Sequence, residues 1–243
     1  MSTLQVNKIQ SFTGTNSVNI NDELVITGST ASNGTKSVAF GEGTLATGSR
    51  SFSHGQNTTA SGSYSHAEGR TTHAEGLYSH TEGQICTASG NYSHAEGRAS
   101  KTTGQWSHAE GTSTLASGNS SHAEGYSTEA SGGWSHAEGR ETVAEHNYSH
   151  AEGLGTKTTS NNQHVQGTYN VTSSANDPNA LVVIGNGTST AIRSNLIEFR
   201  TGSFILDTSA LPTDDPGVSG QLYMTASSNF GGPASTRILM ISV

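Results

Sequence analysis

The residues best suited to chemistry arrive as a pentapeptide, Ser-His-Ala-Glu-Gly, which occurs six times between Ser65 and Gly153. A histidine and a glutamate two residues apart suit a proton-transfer pair, carboxylate as base and imidazolium as acid. They also suit half of a metal site, since imidazole with carboxylate binds zinc, nickel or iron. An enzyme, however, builds one such site with a nucleophile and a cleft around it. No copy here stands out from the others, so no catalytic residue and no cofactor is predicted. Metal layers repeated every ~4.8 Å would pile up charge, and no metal site is assigned.

The spacing explains the repetition. From His66, histidines recur at 80, 94, 108, 122, 136, 150 and 164, each 14 residues on. The same frame puts Phe52 and Val38 in that position, so ten copies run from Ser37 to about Gly167. Seven residues after each pentapeptide comes a second unit of five, such as TLATG (44–48), TTASG (58–62) and TLASG (114–118). Glycine closes each half from Gly41 through Gly139, and the column breaks at His146 and Ser160. A 14-residue period with half-period glycines predicts a solenoid of strand, turn, strand, turn, with glycine supplying the strained backbone of each turn.

Strand alternation assigns the faces. Small residues fill positions 1 and 3 of each unit and are expected inside; Cys86 holds one of those positions as a filler. Positions 2 and 4 point out. In the second unit, position 2 is scattered: Leu45, Thr59, His73, Thr87, Lys101, Leu115, Glu129, Val143 and Lys157. In the first unit it is nearly constant, with glutamate following at position 4. The pairs are His66 and Glu68, His80 and Glu82, His94 and Glu96, His108 and Glu110, His122 and Glu124, His136 and Glu138, His150 and Glu152. Uniformity on an outward face predicts a uniform neighbour, most simply another copy of the chain. Val38 and Phe40 start that interface column. Histidines in such an interface would make assembly respond between about pH 5 and 7. A second column, Tyr64, Tyr78, Tyr92, Trp106, Trp134 and Tyr148, interrupted by Ser120, precedes the histidines by two residues. Its main expected role is structural; its members are also candidate glycan or receptor contacts.

Composition fits a thin repeat. Leu, Ile, Val and Phe are 39 of 243 residues, and the formal net charge is -8. Acidity argues against nucleic acid as a partner. No apolar run is long enough to span a membrane, and the first residues lack a signal-peptide pattern, so neither membrane insertion nor signal-directed secretion is expected.

SVAFG (37–41) followed by TLATG (44–48) resembles the head repeat of trimeric autotransporter adhesins, the YadA-like head. The resemblance implies an all-β fold, a left-handed parallel β-roll solenoid of 14-residue coils, as a homotrimer whose outward pentapeptide pair packs toward the centre. From Ser65 the apolar pair is replaced by His and Glu. MSTLQVNKIQ resembles the start of bacteriophage tail-fibre-type proteins. Residues 180–199 resemble a segment that follows such repeats in phage fibres, and 211–223 resemble the close of phage structural proteins. These imply a virion structural protein, a short tail fibre or fibre-like head appendage, assembled in the host cytoplasm. Its partners would be other virion proteins and a host-surface glycan or protein. The alternative is a bacterial surface adhesin head. Three segments are expected: an N-terminal attachment or capping β segment (1–36), the roll (37–167) and a C-terminal β cap (168–243) with RILMISV as its last strand.

Overall fold

The computed structural model describes residues 31–172, 180–207, 222–226 and 237–241. Residues 1–30 of the expected N-terminal β segment lie outside these. Among the described residues there is no helix. The chain winds into a β-solenoid of about ten coils, built from two parallel sheets. One sheet stacks nine two-residue strands, from Ala31–Ser32 to Val143–Ala144. The other stacks the pentapeptide strands, from Val38–Glu42 to His164–Thr168. Pairing never slips: His108 lies beside His122, Ala109 beside Ala123 and Glu110 beside Glu124.

The interior is as thin as the small residues require. Alanines of both units, such as Ala67, Ala95, Ala116 and Ala130, are fully buried, as is Cys86. Burial pushes the Cys86 thiol up, which keeps it an uncharged filler. Serine at position 1 must satisfy a buried hydroxyl. Ser65, Ser93 and Ser121 donate to the carbonyls of Gly62, Gly90 and Gly118 at 2.6–2.7 Å, closing the turn that begins each pentapeptide strand. The same bond recurs from Ser51 to Ser149, so serine at this position is a turn clasp.

Glycine has two separate jobs. Pentapeptide glycines have positive φ, as at Gly97 (93°). Those of the second unit do not; they are glycine because successive coils touch there. A Cβ on Gly104 would lie 2.0 Å from the carbonyl oxygen of Gly118. The expected turn role for every glycine is therefore corrected in the second unit. The left-handed turn residues are two positions later and are not glycine: Tyr64, Tyr78, Tyr92, Trp106, Ser120, Trp134 and Tyr148 all have φ of 54–60°.

Past Gly167 the pentapeptide sheet continues. Ala180–Asn186 adds in parallel to His164–Thr168, placing Val182 beside His164 and Ile184 beside Gln166. LVVIG (181–185) is thus one more rung, displaced by an insertion, with Val183 buried against Val165 and Ala180. The predicted boundary at 167 falls inside this continuous sheet. Antiparallel strands Asn195–Arg200 and Ser203–Leu206 then finish its edge. Arg237–Ile241 forms a strand, as expected for RILMISV, paired antiparallel with Leu222–Ala226.

Candidate functional site

The parallel register converts a sequence period into a stack. Eight imidazoles, from His66 to His164, lie one above another with ring centroids 4.6–4.9 Å apart and planes within 13°. Phe52 extends the stack at 5.0 Å from His66, and Phe40 meets Phe52 edge-on at 6.2 Å. Each ring is half-buried. The spacing is that of the backbone, so the strands set the ladder and the side chains follow.

The glutamates form a second ladder beside it. Pairing between the two is diagonal and within one chain. His108 Nε2 lies 3.4 Å from Glu96 of the preceding coil, His122 3.7 Å from Glu110 and His136 3.3 Å from Glu124. His150 and His164 repeat this with Glu138 and Glu152 at 3.2 and 3.3 Å. Toward the N-terminal end the contact is looser. Nε2 of His66, His80, His94, His108 and His122 is enclosed without a hydrogen bond. Nδ1 of these rings makes no hydrogen bond among the described residues and is not among the enclosed atoms. Glu96, Glu110 and Glu124, with Gly97, Gly111 and Gly125, line a shallow groove alongside. The glycines leave it open.

Electrostatics inside the ladders follow from like groups at close range. Unit charges ~4.8 Å apart repel by about 1 kcal/mol in water and about 3–4 kcal/mol at an effective dielectric constant near 20. Burial, then neighbouring imidazoles, holds His66, His94, His122 and His136 below the ordinary histidine value. The carboxyls meet one another between coils. Hydrogen bonding with Glu110, then partial desolvation and the neighbouring Glu138, push Glu124 up to about 7. Glu96 is also raised, by burial and then by its bonds to Glu82 and Glu110. Glu82 and Glu110 are lowered, chiefly by accepting from Glu96 and Glu124. At Glu138 burial pushes up, but bonds from Glu124 and Glu152 outweigh it. Raised and lowered carboxyls thus alternate from Glu82 to Glu138.

Groups such as His94, Glu96 and His108 bring three ligand atoms within 4.8 Å of one another. Zinc binds imidazole nitrogen at about 2.0–2.1 Å, so two nitrogens on one ion stand at most ~4 Å apart. Parallel rings at stack spacing aim their nitrogens side by side. A metal would have to pull them out of the stack.

The aromatic column is a second, separate ladder. Tyr64, Tyr78 and Tyr92 stack at 4.7 and 5.0 Å, Trp106 follows at 6.2 Å, and Trp134 stacks on Tyr148 at 5.0 Å. Each ring sits on a left-handed residue, a conformation that costs about 1–2 kcal/mol outside glycine. Ring stacking offsets part of that cost. Arg50 adds a cap, donating to Tyr64 Oη at 2.9 Å with its guanidinium 5.2 Å from the ring centre.

All sixteen predicted interface residues lie along the one pentapeptide sheet, from Val38 and Phe40 to His150 and Glu152. His and Glu pair within the chain, because the diagonal neighbour in the next coil is already in reach. The sequence reading missed Val182 and Ile184, which return the outward pair to an apolar one. The spelling LVVIG was the available signal. No protein-family model matches the chain, and no curated protein matches it.

Proposed function

We propose that the chain is a non-enzymatic structural shaft that assembles as a homotrimer through its His/Glu face and serves as a fibre-type appendage of a bacteriophage virion. The observation that carries this reading is the contrast between outward faces: one bears an unbroken stack of eight imidazoles, the other a scatter of side chains. A coil needs no particular residue at an outward position exposed to water. A repeated neighbour demands a repeated surface.

Three features of that face suit a second copy. The Nδ1 column offers hydrogen-bonding groups with no partner among the described residues. The Glu–Gly groove gives a neighbour somewhere to seat. Apolar rungs close both ends, Val38 with Phe40 and Val182 with Ile184, where packing can exclude water. The polar middle fixes register through charge-assisted bonds and keeps a free chain soluble. The second reading, a bacterial adhesin head, rests on the same SVAFG–TLATG resemblance and shares the trimer.

Sedimentation of the full chain tests the assembly: a species of three times 25.1 kDa is expected, and a species of one chain mass at micromolar concentration contradicts it. Antibody labelling of virions by electron microscopy separates the two biological readings. Label on virion appendages supports the phage fibre, and label confined to a bacterial surface supports the adhesin.

A further inference from the structure

The aromatic ladder lacks one rung, and the geometry of the gap points to a binding site for a hexopyranose ring, sandwiched between Trp106 and Trp134 over Ser120. The coils pass this point without a break: Ser120 N donates to Gln105 O at 2.8 Å and Trp134 N to Asn119 O at 2.9 Å. Ser120 keeps the left-handed φ of the column, 55°. Only the ring is missing. The two indoles are therefore held two coil rises apart, about 9.6 Å, each with a face turned to the vacancy. Each is 58% exposed, and Tyr148 57%, against 43–47% for Tyr64, Tyr78 and Tyr92.

Width alone does not select the occupant, since a flat ring fills the same span at Tyr78, between Tyr64 and Tyr92 at 4.7 and 5.0 Å. The chemistry of the walls and rim suits a pyranose: its apolar faces meet the electron-rich indoles, and its equatorial hydroxyls project sideways. Polar groups are placed for them: Ser120 Oγ and Asn119 Nδ2 make no hydrogen bond among the described residues. Asn119 Oδ1, by contrast, is fixed by Gln105 N at 3.1 Å.

A second observation widens the notch. The residue before each aromatic carries a side chain at Ser63, Leu77, Asn91, Gln105 and Asn147, but next to the gap it is Gly133. Packing does not demand glycine there. A Cβ would meet nothing nearer than Asn147 Oδ1 at 3.3 Å, whereas the glycines between coils would meet backbone at 1.9–2.4 Å. Ser120 and Gly133 together leave an open slot walled by the two tryptophans.

These are the chain's only two tryptophans, so intrinsic fluorescence reports the slot directly. The probes are methyl glycosides of glucose, galactose, mannose and N-acetylglucosamine, both anomers, titrated to ~50 mM, above the millimolar range expected for one stacked ring. A saturable change in emission with at least one glycoside is expected. Ser120→Trp fills the slot and should abolish the response while keeping the β circular dichroism signal and raising the melting temperature. Trp134→Ala should weaken binding about tenfold or more, read from the emission of Trp106, and Tyr78→Ala should leave it unchanged. No response to any glycoside, or equal titration of wild type and Ser120→Trp, overturns the assignment. A response to phenol with none to glycosides also overturns it, in favour of an aromatic side chain. Sedimentation of the same samples reports assembly, so failure of the sugar site and failure of the trimer are separate results.

Discussion

The two sheets of the roll obey one rule inside and opposite rules outside. Both bury small residues at positions 1 and 3, and in both a glycine lets successive coils touch. Outside, the second-unit sheet tolerates Lys101, Leu115, Glu129 and Val143 in consecutive coils. The pentapeptide sheet repeats His and Glu from coil to coil. The inward rule is the same in each sheet, so it does not account for the difference. Ring stacking and diagonal His–Glu pairs run along one face only, and that uniform face is where a second copy is proposed.

The largest effect should be shared by both sheets. Gly97→Ala puts a Cβ 2.2 Å from Gly111 O at a positive φ, and Gly104→Ala puts one 2.0 Å from Gly118 O. Each should cost at least ~4 kcal/mol, read as a collapse of the denaturation midpoint. Gly97→Ala should be the more damaging, since it adds positive-φ strain, and a tolerated Gly104→Ala would show that the sheets do not share the close coil contact. Next, His94→Ala removes two ring stacks and should cost about 1–3 kcal/mol, with loss of assembly at low concentration.

Glu124→Gln tests the proton-sharing ladder. Glu124 holds an extra proton in the folded state, a contribution present at low pH and lost as pH rises through about 7. Glutamine keeps the donor at every pH. At pH 8 the variant should therefore melt about 2–4 °C above wild type, for about 1 kcal/mol after allowing for solvent screening, and the difference should vanish near pH 5. The depressed histidines act with the opposite sign. Their contribution is complete above about pH 6.5 and is lost as pH falls through that value, so Glu124→Gln should lose stability more steeply than wild type between pH 7 and 5. The smallest effect belongs to the variable face: Lys101→Ala should stay within ~0.5 kcal/mol and leave assembly intact.

The sequence carried the roll because a period of 14 leaves little freedom. Ser, Ala and Gly named the interior and the coil contacts, and His against Lys101 or Leu115 named the two outward faces. What it did not carry depends on three-dimensional reach. The diagonal His108–Glu96 pair needs the coil offset, which no spacing within a coil reveals. Tyr64 and Trp106 at positive φ went unseen because left-handed turn residues are ordinarily glycine or asparagine. LVVIG fell out of frame through its insertion. The notch at Ser120 was visible only as a gap, since its width comes from stacking.

Cross-linking tests the central claim most directly, because it asks which face meets another copy. Cys86 is buried and its thiol is held protonated, so an introduced cysteine reports alone. His108→Cys in the full chain, treated with a short bismaleimide at a protein concentration high enough to offset its two lost ring stacks, should give covalently joined chains, while Lys101→Cys under the same conditions should stay single. Joined chains from Lys101→Cys and none from His108→Cys would place the neighbour on the variable face and contradict the account.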